Sequence, residues 1–130
     1  MDEALAKAAR VAAQKARSRG ISCDGTGGYA RHLLLCVGAG CCEGGDHRAT
    51  VRAINNRIQA LKKEGTFVYL TLAQCLSFCR GGPLLVVYPD GTWYHSVTPA
   101  AVDRIFAEHI RGGRVVADHA FAHNPMRPAP

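Results

Sequence analysis

The chain has 130 residues, of which 48% are hydrophobic and 20% charged, and its formal net charge is +6. This length predicts one domain with its own core, and the composition is that of an ordinary soluble globular protein. No apolar run approaches the roughly 20 residues that a membrane-spanning helix needs, so we expect no membrane insertion. The basic residues are scattered and aromatic residues do not interleave with them, which argues against a nucleic-acid ligand.

The N-terminus has acidic residues at Asp2 and Glu3 and no apolar segment, so we expect neither a signal peptide nor a transit peptide. The expected location is therefore the cytoplasm, where thiols are kept reduced. In that compartment, six cysteines favour metal ligands over disulfides.

The first predicted element is a helix over residues 2–19. Acidic residues in its first turn and basic residues in its last turn complement the helix dipole, and Gly20 suits a C-cap. Its apolar positions are mostly alanines, so we expect an added helix that packs weakly on the domain or on a partner, or a frayed extension. A Gly-rich linker follows up to Ala30 and carries Cys23, which we interpret as a spare thiol.

The core is predicted to begin at Arg31. A short apolar run at 32–37 ends in glycine and is typical of a buried strand. An amphipathic helix follows, with Asp46 as its candidate N-cap and with apolar residues three and four positions apart. A second strand, rich in β-branched and aromatic residues, covers 66–72.

Two further strands, 84–88 and 92–97, flank the turn sequence Pro89-Asp90-Gly91 and predict an antiparallel hairpin. Thr98-Pro99 then marks the N-terminus of a final helix that stops at two glycines. The segment 117–130 ends in histidines and prolines and is predicted to be an extended, poorly packed tail.

The order of these elements predicts an α/β fold, a thioredoxin-like sandwich with a β-α-β-β-β-α core and an added N-terminal helix. The helix and linker take residues 1–30, the core domain takes 31–116 and the tail takes 117–130. The first two strands are joined by a helix and are therefore expected to be parallel. The loops that follow these strands should then leave the same edge of the sheet.

Both of these loops contain cysteines. Cys36 and Cys41 flank a small-residue loop after the first strand. Cys75 and Cys79 follow the second strand and lead into Gly-Gly-Pro. Because both loops leave one edge, the four thiols are predicted to form one metal-cluster site. A two-iron, two-sulfide cluster needs two thiolates on each iron, and a glycine-rich loop lets peptide N–H groups approach the sulfurs.

The pattern resembles the thioredoxin-like [2Fe-2S] ferredoxins, which include Shethna-type proteins and the ferredoxin-like subunit of respiratory NADH dehydrogenase. The resemblance covers about 31–116 and depends on the two cysteine spacings and on the stretch from Gly81 to Tyr94. It is closer to the stand-alone ferredoxins than to the NADH dehydrogenase subunit. It implies a [2Fe-2S] cofactor, transfer of one electron at a time, and a homodimer. The iron ligands that it implies are Cys36, Cys41, Cys75 and Cys79.

The function predicted from this resemblance is that of a one-electron carrier between a reductase and an acceptor enzyme. No catalytic triad or paired carboxylates stand out, so we predict an electron-transfer protein and not an enzyme. Its redox partners are expected to have acidic docking surfaces, because the chain stays basic even with a cluster of charge about −2. The alternative is a cluster-bearing subunit, or a protective or assembly partner, of a larger redox enzyme.

Other interpretations of the cysteines stay open at this point. Cys42 directly follows Cys41, and the four-residue spacing favours Cys41 as the ligand. A structural zinc site could use four thiols, although zinc clips usually lie on paired turns. A thiol oxidoreductase would need its cysteines at a helix N-terminus, whereas the second pair runs into Gly-Gly-Pro. Gly38 and Gly40 begin a dinucleotide fingerprint, but Glu43 takes the place of its third glycine.

Overall fold

The computed structural model of the protein describes residues 2–38, 47–77 and 80–126. The chain forms two compact units, Met1–Ala30 and Arg31–Pro130. Within the described ranges, no helix combines the length and the apolar character that crossing a lipid bilayer requires.

Helix α1 (Glu3–Ser18) is the main element of the first unit. Asp2 caps its N-terminus, because the Asp2 carboxylate accepts a hydrogen bond from the Ala4 N–H at 2.8 Å. The helix predicted from the sequence is therefore present. None of its residues is buried, and its two larger apolar side chains, Leu5 and Val11, are 63% and 59% exposed.

The second unit is built on a five-stranded sheet. Its strands are β1 (Arg31–Cys36), β2 (Val68–Ala73), β3 (Leu85–Tyr88), β4 (Thr92–Tyr94) and β5 (Ala120–His123). Their spatial order is β2-β1-β3-β4-β5. Strands β1 and β2 are parallel, and all other neighbours are antiparallel. Helix α2 (Arg48–Lys63) provides the crossover that the parallel pair needs.

Helix α3 (Pro99–Arg104) packs against α2 and continues as a π-helical segment over Ile105–Ile110. Thr98 caps α3 by accepting a hydrogen bond from the Ala101 N–H at 3.3 Å, as the Thr-Pro pair predicts. The core lies between these helices and one face of the sheet. Its large buried members include Leu33, Leu35, Ile54, Ile105 and Phe106.

A chain of buried polar contacts joins the final helix to the hairpin. His109 is 2% exposed, its Nδ1 lies 2.7 Å from the Tyr94 hydroxyl and its Nε2 lies 2.8 Å from Asp90 Oδ2. The Tyr94 hydroxyl also accepts a hydrogen bond from the Val116 N–H at 3.1 Å. Burial raises the pKa of Tyr94, against the opposing effect of the Val116 N–H. We call the Asp90, Tyr94 and His109 side chains and the Val116 N–H the His109 network.

Asp90 extends this network to the first strand. The Nε of Arg31 lies 2.8 Å from Asp90 Oδ1, without the alignment of a hydrogen bond, so the contact is an ion pair. Both side chains are about three quarters buried, with exposed fractions of 25% and 22%. The hairpin turn is therefore fixed both to the start of β1 and to the final helix.

The predicted element order agrees with the structure, and the boundaries differ slightly. β4 ends at Tyr94 and not at Val97, because Ser96 adopts a left-handed backbone with φ of 51° that interrupts the extended chain. The predicted N-cap of α2, Asp46, lies outside the described residues.

The segment 117–130 differs from the prediction in one respect. Of its described residues, 117–119 lie in a turn, and 120–123 form β5 and pair with β4, where Trp93 lies opposite Ala122. The Asn124 N–H then donates a hydrogen bond to the Gly91 carbonyl at 2.7 Å, which ties the end of this strand to the hairpin turn. A four-residue strand between histidines and prolines is too short for alternation to reveal it.

Candidate metal-cluster site

The parallel pairing of β1 and β2 brings the two cysteine loops to one edge of the sheet. In this register Cys36 pairs with Ala73, so Cys75 comes only two residues after the paired position. The loops therefore leave the sheet side by side, as the β-α-β order predicts. We call residues 36–38 and 73–77 together the cysteine edge.

Main-chain contacts hold the first loop against the second. The Val37 N–H donates a hydrogen bond to the Ala73 carbonyl at 2.7 Å. One residue further on, a Cβ atom on Gly38 would lie 2.0 Å from the Gln74 carbonyl oxygen, which is impossible without a shift of the backbone. Glycine at position 38 is thus required by the close approach of two backbones.

Cys36 is fully buried at the end of β1. It packs with Leu84 and Leu76, and its thiol donates a weak hydrogen bond to the Gln74 carbonyl, with 3.8 Å between sulfur and oxygen. Its own N–H donates to the Leu84 carbonyl at 3.0 Å. The sulfur of Cys36 is therefore placed in apolar surroundings and kept away from water.

Cys75 is exposed and lies outside any helix or strand. The Ser77 N–H donates a hydrogen bond to Cys75 Sγ at 3.3 Å, and Ser77 has a left-handed backbone with φ of 77°. The described residues 74–77 form no helix. Activation of a thiol by a helix N-terminus, which a thiol oxidoreductase uses, is therefore absent at Cys75.

The segment after the second cysteine pair is tied to the end of β4. The Gly81 carbonyl accepts a hydrogen bond from the Ser96 N–H at 2.7 Å, and the Pro83 carbonyl accepts one from the Val97 N–H at 3.1 Å. Position 81 has φ of 73°, a conformation that suits glycine. The second loop is thus anchored on β2 before its cysteines and on the segment that follows β4 after them.

The structure places Cys36 and Cys75, two of the four predicted ligands, in adjoining loops at one edge of the sheet. Three other cysteines lie outside the described residues: Cys41, Cys42 and Cys79. Within the described ranges, no cluster of three or more His, Cys, Asp or Glu could hold a metal ion. Cys23 is exposed in the first unit, where its Sγ lies 3.7 Å from the Ala13 carbonyl oxygen.

The described donors fit an iron–sulfur cluster. Such clusters are held by cysteine thiolates whose sulfurs accept backbone hydrogen bonds and whose surroundings limit water. Cys75 already accepts the Ser77 N–H, and Cys36 has an apolar pocket. The sequence analysis missed Ser77, because serine gives no signal for a left-handed backbone, whereas glycine or asparagine would.

Comparisons with known proteins identify the family. A 2Fe-2S ferredoxin of Aquifex aeolicus (strain VF5) is 33% identical to the chain, over 66% of the chain and 84% of that protein. The structure of a thioredoxin-like [2Fe-2S] ferredoxin from Aquifex aeolicus matches with a TM-score of 0.66 and 29% identity, over 75% of this chain and 96% of that one. The chain belongs to the thioredoxin-like [2Fe-2S] ferredoxins.

A second relative of this ferredoxin is a protein of Priestia megaterium named as a 2Fe-2S ferredoxin, which is 36% identical over 66% of the chain. The chain spans 65% of the length of that protein. No protein-family model matches the chain. The predicted family, the thioredoxin-like α/β fold, the [2Fe-2S] cofactor and the class of electron carrier are confirmed by these relatives.

Proposed function

We propose that this ferredoxin carries one electron at a time between a reductase and an acceptor enzyme in the cytoplasm, as an electron-transfer protein and not as an enzyme. The proposed cluster ligands are Cys36, Cys41, Cys75 and Cys79. The observation that supports this ligand set is the β1–β2 register, which places Cys36 and Cys75 at one edge of the sheet. When bound, the cluster supplies a one-electron redox couple.

The two described ligands differ in their access to solvent. Cys36 is fully buried with Leu84, so its side of the site excludes water. Cys75 is exposed, so a redox partner can approach from the side of the second cysteine pair. Electron transfer needs such an approach, and we therefore assign the docking side to the second pair.

Charge near this side supports an acidic partner surface. Arg80 is exposed, and it forms no ion pair with any residue that the structure describes. Arg80 directly follows Cys79, and a guanidinium that no described residue pairs attracts carboxylates and speeds the encounter at low salt. Exchange of Arg80 for glutamate should slow reduction by a partner with an acidic surface, and this difference should shrink as salt is added.

The ligand set is tested by exchanging each cysteine for serine and measuring the visible spectrum together with iron and sulfide. The unchanged protein should contain about two irons per chain and bleach on reduction with dithionite. Exchange of any one proposed ligand should remove or shift the visible absorption. These ligands are Cys36, Cys41, Cys75 and Cys79. The matched controls, Cys23→Ser and Cys42→Ser, should leave the spectrum unchanged.

Two results would overturn parts of this proposal. A colourless protein that contains zinc would refute the cluster itself. A normal spectrum in Cys41→Ser, combined with an altered one in Cys42→Ser, would move the second ligand by one position.

The homodimer that the family resemblance implies belongs to the same proposal. Leu34 pairs with Val86 and Val86 pairs with Trp93, so these three side chains form one row across three strands. Leu34 alternates with Leu33 and Leu35, which face the helices, so Leu34 and its row lie on the other face of the sheet. Val86 is already buried within the chain, whereas Leu34 and Trp93 are part-exposed, so a second copy would cover these two side chains. Sedimentation of Trp93→Lys as a monomer, against a wild-type dimer, would support this interface.

A second candidate function is a cluster-bearing subunit, or a protective or assembly partner, of a larger redox enzyme. Helix α1 favours it, because none of its residues is buried while Leu5 and Val11 are exposed. Deletion of residues 1–30 separates the two functions. A carrier should keep its rate of electron transfer, whereas a docking subunit should lose its association with the larger enzyme.

A further inference from the structure

The second cysteine loop has a backbone conformation that ligand placement alone does not require. Ser77 has φ of 77°, in the left-handed region that is unfavourable for every residue with a side chain. Among the described residues, Ser96 is the other non-glycine residue with a positive φ. A conformation of this kind persists only where the surrounding structure holds it.

The effect of the turn is to direct one backbone group. With this φ, the Ser77 N–H donates to Cys75 Sγ at 3.3 Å. The side chain of Ser77 is exposed, and its hydroxyl forms no hydrogen bond with any described residue. What the turn supplies to the site is therefore the peptide N–H and not the serine hydroxyl.

The two described sulfurs differ in this respect. Cys36 Sγ faces the Gln74 carbonyl oxygen at 3.8 Å, and a carbonyl cannot donate a hydrogen bond to a thiolate. Cys75 Sγ, by contrast, accepts an N–H and is exposed. Among the described donors, an N–H thus reaches Cys75 Sγ and none reaches Cys36 Sγ, so these donors stabilise negative charge better at Cys75.

We propose that Ser77 is a positioning residue that raises the reduction potential of the cluster by holding its N–H against Cys75 Sγ. This inference rests on the proposed function, because it takes Cys75 as a ligand. Reduction adds one electron and one negative charge to the cluster and its sulfurs. A hydrogen bond to a ligand sulfur is stronger when that sulfur carries more negative charge, so it favours the reduced state.

The test is the midpoint potential of three variants of the whole protein with cluster bound. Ser77→Gly keeps the left-handed backbone at no steric cost and should leave the potential unchanged. Ser77→Val places a β-branched side chain where it is least tolerated, so the N–H should turn away and the potential should become more negative. Ser77→Ala should also make the potential more negative, but by less. If the valine variant does not hold its cluster, the alanine variant tests whether the Ser77 backbone sets the potential.

A matched control separates the hydrogen bond from general strain. Gly65 also has a left-handed backbone, with φ of 88° and open space around it, so Gly65→Val introduces similar strain away from the cysteines. It should lower stability without moving the potential. Pulsed EPR of the reduced protein in D₂O gives a second measurement, since Ser77→Val should lose one coupled exchangeable deuteron that Ser77→Gly keeps.

Two results would overturn the inference. One is an unchanged potential in both Ser77→Val and Ser77→Ala at full iron and sulfide content. The other is a shift in Ser77→Gly as large as that in Ser77→Val, which would assign the effect to the hydroxyl. Failure of the proposed function is seen separately, as a normal cluster spectrum in Cys75→Ser.

Discussion

The His109 network and the cysteine edge belong to one sheet, but different groups hold them together. In the network, side chains make most contacts, with His109 between Tyr94 and Asp90. At the cysteine edge, the two loops meet through main-chain groups, as in the hydrogen bond from Val37 to Ala73. This arrangement leaves the cysteine side chains available for metal.

The difference shows how stability and cofactor binding are separated in this fold. The His109 network satisfies its buried polar groups with protein partners, so it stabilises the fold whether or not a cluster is bound. At the cysteine edge the thiols reach their full set of strong bonds only with metal. Substitutions in the network should therefore change stability, and substitutions at the edge should change cluster content.

The largest effect on stability is expected from His109→Ala. This change leaves a cavity and removes the partner of both the Tyr94 hydroxyl and the Asp90 carboxylate. The free energy of unfolding should fall by about 3–5 kcal/mol, as is usual when a buried side chain and its hydrogen bonds are lost. Urea titration followed by circular dichroism measures it. A loss below about 1 kcal/mol would show that the network contributes little.

A smaller effect is expected from Tyr94→Phe, which keeps the ring and removes the hydroxyl. The Val116 N–H and His109 Nδ1 each lose a partner, and each buried group left unsatisfied costs about 1–3 kcal/mol. Cluster content should stay normal in this variant. An equal loss of iron and of stability would contradict the separation of the two regions.

Tyr94 also predicts a pH dependence. Because burial raises the pKa of Tyr94 in the folded protein, the folded chain keeps this proton to higher pH than the unfolded chain does. Its contribution to stability is complete below the unfolded pKa of about 10 and is lost as pH rises beyond it. Between pH 8 and 11, the free energy of unfolding from urea titration should therefore fall less steeply in Tyr94→Phe than in the unchanged protein. The difference should be about 1 kcal/mol.

Gly38→Ala should change cluster content more than it changes stability. The added Cβ would overlap the Gln74 carbonyl oxygen, so the two loops must separate. We expect a loss of stability of about 1 kcal/mol or less and a several-fold fall in iron per chain. Gly65→Ala is the control for iron content, because a Cβ there meets nothing within 4 Å, and the strain of its left-handed backbone lies away from the cysteines. Normal iron content in Gly38→Ala would show that the close approach is not needed for cluster binding.

The smallest effect is expected from Arg111→Ala. Arg111 forms an exposed bidentate contact with Glu64, with both oxygens 2.6 Å from guanidinium nitrogens, and this hydrogen bonding lowers the pKa of Glu64. Its stabilisation is present above the usual pKa of glutamate and is lost as pH falls below it. Salt should screen the attraction between Arg111 and Glu64. The melting temperature of Arg111→Ala in high salt should therefore be close to that of the unchanged protein.

The cysteine edge could be predicted from sequence because its geometry follows from chain order. A helix between two strands implies parallel pairing, and parallel pairing places Cys36 and Cys75 at one edge. The spacing of cysteines is itself sequence information. What could not be predicted is the backbone at Ser77, since no residue type there marks a left-handed turn.

The His109 network was not predictable for a different reason. His109 lies 15 residues from Tyr94 and 19 from Asp90, and the three belong to different elements. A lone histidine late in a helix does not indicate which partner the fold will bring to it. Sequence patterns predict which face of an element is buried, whereas buried polar pairing depends on how the elements pack.

The return of β5 to the sheet has a practical consequence for electrochemistry. After this strand, the Asn124 N–H binds the Gly91 carbonyl and the Met126 N–H approaches the Pro89 carbonyl at 3.4 Å. The turn that carries these carbonyls is at the end of β3 far from Cys36, because Tyr88 pairs with His32 whereas Leu85 pairs with Leu35. A tether attached at Met126 would therefore immobilise the protein on a surface through the hairpin turn and leave the cysteine edge free for a soluble mediator.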